Sequence, residues 1–266
     1  TQEVGLVERN WLAHVPAIEL ACRICRYDGK DLGRVTLGLD GRFPGEQLRH
    51  LRLLKSGTRL DLKGGWVLED ERIKSHIEGE FNTNNISALL VGWGTNSVVQ
   101  DSAVNVQGDL QWTGSLVELN RKTLEGDLTY KLDAGYLRDV NDGGARLLSV
   151  LSLESILRKL TLDFRDIFAR GMFYSSFEGT LNIAQGTVST SDTEMIGAAG
   201  DLTVAGTTNL VTEALDYQLS FTPKVTSSLP VLLAWMINPP SGLAALVIDR
   251  VLHEAQVISR LQYHVT

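Results

Sequence analysis

Positive charge is scarce in the second half of this sequence. Lys224 is the single cation between Gly171 and Asp249, and the whole chain carries a formal net charge of −7 at pH 7. A nucleic-acid-binding protein needs a stripe of lysine and arginine that neutralises phosphates. The charge distribution therefore argues against that class of protein.

Recognisable catalytic motifs are also missing. The five histidines form no HxxxH or HExxH pair, and no GxSxG elbow, P-loop or helix-opening GxGxxG turn occurs, although these patterns mark common metal, hydrolase and nucleotide sites. Asp163 and Asp166 lie three positions apart on one predicted helix, whereas paired catalytic acids normally come from separate elements that face a cleft. We interpret them as a helix cap and a solvated side chain. The sequence predicts a protein that is not an enzyme and binds no cofactor or metal.

Cysteine is limited to one pair, Cys22 and Cys25. A structural zinc site needs four ligands, and no second cysteine pair or well-spaced histidine pair completes one. A thioredoxin-like redox pair would open a helix near a βαβ unit, but segments of β character flank this pair. A local disulfide or an inert thiol pair is the leading interpretation, with a redox pair and a metal site as alternatives.

Alternation of apolar and polar residues dominates most of the chain. Val35, Leu37 and Leu39, for example, are separated by single polar or small residues, which places the three apolar side chains on one face of a strand. About twelve such segments follow one another with turn signals between them, and this favours an antiparallel meander over a βαβ sheet. The predicted class is mainly β. An apolar face of this kind suits an open groove or a sandwich whose sheets cover each other.

Glycine recurs at equivalent places within several of these segments. The pattern glycine–polar–apolar begins at Gly79, Gly108, Gly126 and Gly179, with spacings too irregular for a solenoid. Glycine inside a strand often marks a bulge or a bend. The recurrence predicts a curved sheet, although ordinary twist and tight turns would also account for it.

Two segments interrupt the β pattern with helical spacing. A short helix is predicted near residues 85–93, with Asn84 or Asn85 as its N-cap. Residues 141–171 have the most regular spacing in the chain, with a broad apolar face and a narrow polar stripe. This combination predicts an amphipathic helix followed by a shorter one.

A long apolar run near the C-terminus raises the question of a membrane span. Leu229 to Ile248 is uncharged, and hydropathy alone would suggest a transmembrane helix. Pro239 and Pro240 interrupt the run, and proline in a helix interior costs about 3 kcal/mol or more. The sequence favours a helical hairpin over residues 229–252 that packs on the sheet. Contact with a membrane interface is the second interpretation and a true span is the third.

Several sequence blocks resemble one known family. Residues 146–190 contain RLLS, LTLDFRD and FEG, residues 215–230 contain LDY and TPKVTSSLP, and residues 22–33 contain CRIC followed by GKDLG. Together they resemble the C-terminal region of the YhdP family, large AsmA-like proteins of the Gram-negative envelope. The resemblance covers nearly the whole chain and is strongest from residue 146 onward. Met172 and Tyr174 depart from the more phenylalanine-rich run expected there.

The resemblance implies a fold, a location and a function. Proteins of this kind are anchored in the inner membrane by an N-terminal helix and extend through the periplasm. They resemble bridge-like lipid-transfer proteins, in which curved antiparallel sheets form a long apolar groove, and the family is implicated in phospholipid movement between the inner and outer membranes. A periplasmic location also favours an oxidised Cys22–Cys25 pair.

The combined prediction is a curved antiparallel sheet whose elongated apolar groove carries phospholipid acyl chains without catalysis. We expect a β-groove segment over residues 1–140, a helical insert over 141–171 and a second β segment over 172–266. The predicted groove residues are Val35, Leu37, Leu39, Leu60, Leu62, Leu110, Trp112, Leu128, Tyr130, Leu132, Leu181, Ile183, Tyr217, Leu219 and Phe221.

The two helical segments receive separate predicted roles. The insert is expected to plug, gate or end the groove. Its residues for that role are Leu147, Leu151, Ile156, Leu157, Phe164 and Phe168. The alternative function is a structural or docking module whose C-terminal helices bind the outer membrane or a partner protein. The contact residues predicted for it are Leu232, Trp235, Met236, Leu243 and Leu246.

Overall fold

The computed structural model describes residues 16–95, 97–137, 172–197, 200–223 and 261–265. These residues form one curved antiparallel sheet and one short helix. Twelve strands follow a single path in which each pairs with its neighbours, and a thirteenth, very short strand pairs beside this path. The predicted mainly β, antiparallel class is confirmed.

The bounds of the elements show strands longer than the sequence suggested. The strands are β1 (Ile18–Tyr27), β2 (Lys30–Leu39), β3 (Leu48–Lys55), β4 (Thr58–Glu69), β5 (Arg72–Thr83), β6 (Val99–Gln100), β7 (Val104–Thr113), β8 (Glu125–Leu137), β9 (Met172–Ala184), β10 (Thr187–Gly197), β11 (Gly200–Asn209), β12 (Leu215–Pro223) and β13 (Leu261–Val265). The helix is α1 (Ile86–Gly92). The path runs in chain order from β1 to β13 and omits β6, which pairs with β8. Within the described residues β1 and β13 form its two edges, so the sheet is open.

Local sequence signals account for the turns and the helix. Ser56 and Gly57 adopt positive φ values between β3 and β4, which tight hairpin turns require. Asn85 caps α1, because its side-chain oxygen accepts a hydrogen bond from the Ala88 backbone N–H at 2.9 Å. This satisfies one of the donors that every helix start leaves free. The helix connects β5 to β6 and lies where the sequence predicted it.

The strand register sorts the side chains onto two unlike faces. Residues directly opposite in an antiparallel pair project from the same face, and Leu37 pairs with Leu51, which pairs with Leu62. We call the face that carries these leucines the apolar face and the other the polar face. The buried core cluster has most of its strand members on the apolar face of β7 to β12.

Cross-strand ion pairs cover parts of the polar face. Arg52 lies opposite Asp61 with a nitrogen–oxygen distance of 2.8 Å, and Lys63 lies opposite Glu78 at 2.5 Å. Exposed pairs of this kind contribute only about 0–1 kcal/mol each. Their main effect is on register, because a slip of one residue would move charges onto the apolar face.

Pairing also fixes where the long connections join the sheet. Leu132 in β8 lies opposite Phe177 in β9, and Phe221 in β12 lies opposite Leu261 in β13. These positions lie in the same sheet row as Thr83 at the end of β5. Residues 84–103, 138–171 and 224–260 therefore all join the sheet at the same end of its strands. The turns between β9 and β10 and between β11 and β12 lie at the opposite end of the strands.

Two predicted helical segments lie outside the described residues. These are the insert at 141–171 and the hairpin at 229–252, so both stay predictions. In the part of the chain that the structure does describe, no helix has the length and apolar character needed to cross a membrane.

Candidate functional site

The apolar face brings together all fifteen residues that the sequence assigned to a groove. Val35 in β2 lies opposite Leu53 in β3, which lies opposite Leu60 in β4, and the ladder continues strand by strand to Leu219 in β12. The remaining predicted groove residues occupy the same face, since each pairs in register with a neighbour already on it. The strand register identifies the side chains that share this face; it does not identify a ligand. The predicted plug and membrane-contact residues lie outside the described part.

Several residues of the apolar face were missed by sequence reasoning. Ile77 and Phe81 in β5 lie opposite Leu110 and Val106 in β7, and Met195 in β10 lies opposite Phe177 and Leu202. Glycine between Ile77 and Phe81 weakens the alternation there. In β10 the signal is lost at a bulge between Thr190 and Thr193, which shifts the alternation by one residue.

Exposure of the apolar face decreases along the sheet. Leu37, Leu62 and Leu128 are only half-buried, whereas Leu181 is 7% exposed and Leu219 is 1% exposed. Leu128 and Leu181 are direct partners in the β8–β9 pair. The face therefore has an accessible section, made by the half-buried leucines of β2 to β4 with Ile77 and Phe81 of β5, and a buried section from β9 to β12. Strands β7 and β8 between them carry both half-buried residues, such as Leu128, and buried ones, such as Trp112 and Tyr130.

Two glycines lie opposite each other where β5 pairs with β7. Gly79 and Gly108 pair directly across β5 and β7. A Cβ atom at Gly79 would lie 2.1 Å from the Asp61 carbonyl oxygen, and one at Gly108 would lie 2.0 Å from the Asp127 carbonyl oxygen. Side chains cannot be accommodated where neighbouring backbone comes this close. The Leu62 and Leu128 side chains lie over these positions instead, and the missing Cβ atoms let the strands bend.

Five hydroxyl groups on the apolar face of β8 to β12 have hydroxyl partners, in one group of three and one pair. The Tyr130 hydroxyl lies 2.8 Å from the Thr193 hydroxyl, which lies 2.7 Å from that of Thr190. The Thr208 and Tyr217 hydroxyls lie 2.9 Å apart. We call these five residues the hydroxyl belt. Since a buried polar group without a partner costs about 1–3 kcal/mol, this pairing lets hydroxyls occur within an apolar face.

Burial makes Tyr130 of the belt harder to ionise than a free tyrosine. Burial raises the pKa of Tyr130 to about 12, the Thr193 hydrogen bond opposes this rise, and Asp192 and Tyr217 add smaller increases. An unfolded tyrosine ionises near pH 10. Between those values the folded state keeps a proton that the unfolded state releases. Stability from this group is therefore complete below about pH 10 and is lost as the pH rises through about 12.

We expect the Tyr130→Phe variant to be less stable than the parent chain at neutral pH by about 1 kcal/mol, because the Thr193 hydroxyl loses one of its two hydroxyl partners. The difference in free energy of unfolding should narrow above pH 10 and reverse towards pH 12. In that range only the parent chain has a buried phenol at position 130, and its folded state is destabilised because it must keep this phenol protonated. Denaturant unfolding at a series of alkaline pH values measures this difference. A gap that stays constant across the series would contradict the raised pKa.

The two cysteines lie at an irregularity near one edge of the sheet. Cys22 and Cys25 are joined by a disulfide bond, and the pairing of β1 with β2 shifts between them. The intervening residues Arg23 and Ile24 are exposed. Neither cysteine belongs to a metal site, and no group of three or more metal-ligating side chains occurs among the described residues.

Comparison with known proteins identifies the family. The YhdP protein family model matches residues 2–266. The chain is 29% identical over 262 residues to the intermembrane phospholipid transporter YhdP of Escherichia coli (strain K12), a match that covers 97% of this chain and 20% of that protein. The chain thus spans about a fifth of its relative. No solved structure gives a significant match. Because the family model covers almost the entire sequence, this chain belongs to the YhdP family.

Proposed function

We propose that this chain is a non-enzymatic lipid-transfer module of the periplasm. In this proposal its apolar face holds the acyl chains of phospholipids that move between the inner and outer membranes. The polar face, with its charged cross-strand pairs, faces water. The longer protein that contains the module is held in the inner membrane by a segment outside this chain.

The observation that carries the proposal is the accessible section of the apolar face. Leu37, Leu51 and Leu62 lie side by side on adjacent strands and are half-buried, as is Leu128 further along. Soluble monomeric proteins rarely leave such a contiguous apolar strip open, and a strip of this kind commonly marks a binding surface. Burying a methylene group there would stabilise a bound acyl chain by about 0.8 kcal/mol.

Two further observations support the proposal, one on the ligand and one on the compartment. The related Escherichia coli protein is named as an intermembrane phospholipid transporter. The disulfide between Cys22 and Cys25 is typical of an oxidising compartment such as the periplasm. Since an acyl chain carries no charge or hydrogen-bonding group, an apolar strip without ion pairs suits it better than it suits a polar ligand.

Native mass spectrometry of the chain purified from a Gram-negative periplasm tests the proposal. We expect adducts with the mass of intact phospholipids, because the strip would exchange bound lipid slowly with water. Extraction followed by lipid analysis identifies the bound species. Purified protein that carries no phospholipid, and that acquires none when mixed with labelled vesicles, would contradict the proposal.

A further inference from the structure

We propose that a cleft at one end of the strands binds the headgroup of a phospholipid that carries both a phosphate and a primary ammonium group. The cleft lies between the β7–β8 loop (residues 114–124) and the turn that joins β11 to β12. This inference rests on the proposed function, because the acyl chains of the same lipid lie on the apolar face. It adds to that function a site that selects the headgroup.

The cleft has the size and the lining of a small-molecule site. Its volume is about 600 Å³, and ligand pockets usually measure about 300–1,000 Å³. Three charged side chains line it, those of Glu118, Arg121 and Lys122. Leu119 and Val211 line it as well. One cavity therefore offers an anionic group, two cationic groups and apolar surface.

The charges of the cleft complement those of a zwitterionic headgroup. Glu118, Arg121 and Lys122 are exposed, and none of them forms an ion pair with another residue that the structure describes. Lysines on the polar face, such as Lys63 and Lys131, do form such pairs. Arginine and lysine bind phosphate through charge-assisted hydrogen bonds, and a carboxylate accepts such bonds from a primary ammonium group. A headgroup without a cation would leave Glu118 facing an anion.

Hydrogen bonds fix the backbone of the loop that carries these charges. The Asn120 side chain donates to the Thr113 carbonyl oxygen at 3.1 Å and accepts from the Lys122 N–H at 3.1 Å. A Cβ atom at Gly186 would lie 2.1 Å from the Arg121 carbonyl oxygen, so the β9–β10 turn packs directly against the loop. Because the backbone is already ordered, a ligand that binds there loses little affinity to loop ordering.

The same loop and turn also expose apolar side chains. Val117 is 93% exposed, Leu119 is 42% exposed and Val211 is 45% exposed. Leu110, half-buried on the apolar face, precedes Thr113 on β7 by about 10 Å at the usual rise per strand residue. An acyl chain that extends from the cleft buries such surface, which stabilises the complex. A soluble phosphorylated amine has no acyl chain, so the apolar surface favours a lipid.

Nuclear magnetic resonance titration of the isotope-labelled chain tests the site. Dihexanoyl phosphatidylethanolamine is added below its micelle concentration, and parallel titrations use dihexanoyl phosphatidylglycerol, dihexanoyl phosphatidylcholine and O-phosphoethanolamine. We expect shifts of the Gly114, Asn120 and Lys122 amide signals with the ethanolamine lipid. Binding of the other three compounds should be roughly tenfold weaker, because each lacks the cation, its N–H donors or the acyl chains. The Leu51 and Leu62 amides report on the accessible section separately.

Charge-neutralising variants separate the two halves of the site. Glu118→Gln should abolish the preference for the ethanolamine over the glycerol headgroup. The double variant Arg121→Gln/Lys122→Gln should weaken binding of all three lipids at the cleft roughly tenfold, because the phosphate loses both cations. Glu213→Gln and Arg72→Gln are the matched controls, since both side chains are exposed at the same end of the strands and outside the cleft lining. We expect both controls to bind as the parent chain does.

Three results would contradict the proposal in different ways. Equal affinity of the cleft for the ethanolamine, glycerol and choline lipids, or shifts confined to Leu51 and Leu62, would overturn the headgroup site and leave the proposed function standing. Binding of O-phosphoethanolamine as tight as that of the lipid would overturn the cleft as a lipid site and assign it to a soluble compound. Absence of shifts at every amide with every lipid would overturn the lipid-transfer function itself.

Discussion

The Gly108→Val variant is expected to lose about 3 kcal/mol or more of its free energy of unfolding. The new Cβ would lie 2.0 Å from the Asp127 carbonyl oxygen and 2.8 Å from a methyl carbon of Leu128. Backbone atoms of a paired strand cannot rotate away as a side chain can, so the β7–β8 pair must separate or flatten. Strand propensity alone predicts a gain in stability from this substitution, because valine is favoured over glycine in sheets. Denaturant unfolding followed by circular dichroism measures the change.

Gly92→Ala is the matched control for this substitution. Gly92 is the last residue of α1, and a Cβ built there meets no atom within 4 Å. Removing this glycine should leave stability unchanged or raise it by up to about 1 kcal/mol, since alanine loses less backbone entropy on folding. If Gly108→Val were as stable as Gly92→Ala, the close approach of backbone at Gly108 would not hold in solution.

Leu51→Glu is expected to lower phospholipid transfer at least tenfold. Leu51 is half-buried in the accessible section, and an ionised carboxylate among acyl chains loses its hydration without gaining a partner. A penalty of only about 1.4 kcal/mol per bound lipid already produces a tenfold loss of affinity. Transfer of labelled phospholipid between vesicles, or lipid occupancy by native mass spectrometry, measures the effect.

Leu54→Glu on the same strand provides the comparison. Leu54 is 46% exposed and lies opposite Arg34 and Arg59 on the polar face, so a carboxylate there remains hydrated and gains cationic neighbours. We expect normal transfer and normal stability from this variant. Equal loss of transfer in Leu51→Glu and Leu54→Glu, with both variants folded, would mean that the apolar face is not the lipid path.

Much of the apolar face could be predicted from the sequence, and the reason is the period of a strand. Alternation in Val35, Leu37 and Leu39 fixes a common face before any partner is known. Register then follows, because a slip by one residue would move Leu51 and Leu62 to the polar face. Alternation says nothing about what covers a face. The difference in exposure between Leu128 and Leu181 therefore could not be predicted.

Two other features show where sequence patterns stop being informative. The recurring glycines predicted curvature, but the direct pairing of Gly79 with Gly108 depends on the registers of β5 and β7, which no local pattern contains. The bulge in β10 places Thr190 and Thr193 on the same face, although residues three apart in a regular strand lie on opposite faces. A polar stretch such as this gives no apolar spacing from which a bulge could be inferred.

The chain-order pairing of the strands has a consequence for how the molecule folds. Most neighbours in the sheet are joined by a turn or short loop, so most contacts are local and each hairpin can form as soon as its second strand is available. Local topology of this kind speeds folding. The exceptions are the closures across residues 84–103, 138–171 and 224–260, where the entropy cost of bringing the ends together is greater. Assembly is therefore expected to proceed strand by strand from β1 to β5 and to slow at these three closures, so that the half-buried section of the apolar face forms before the buried core of β7 to β12.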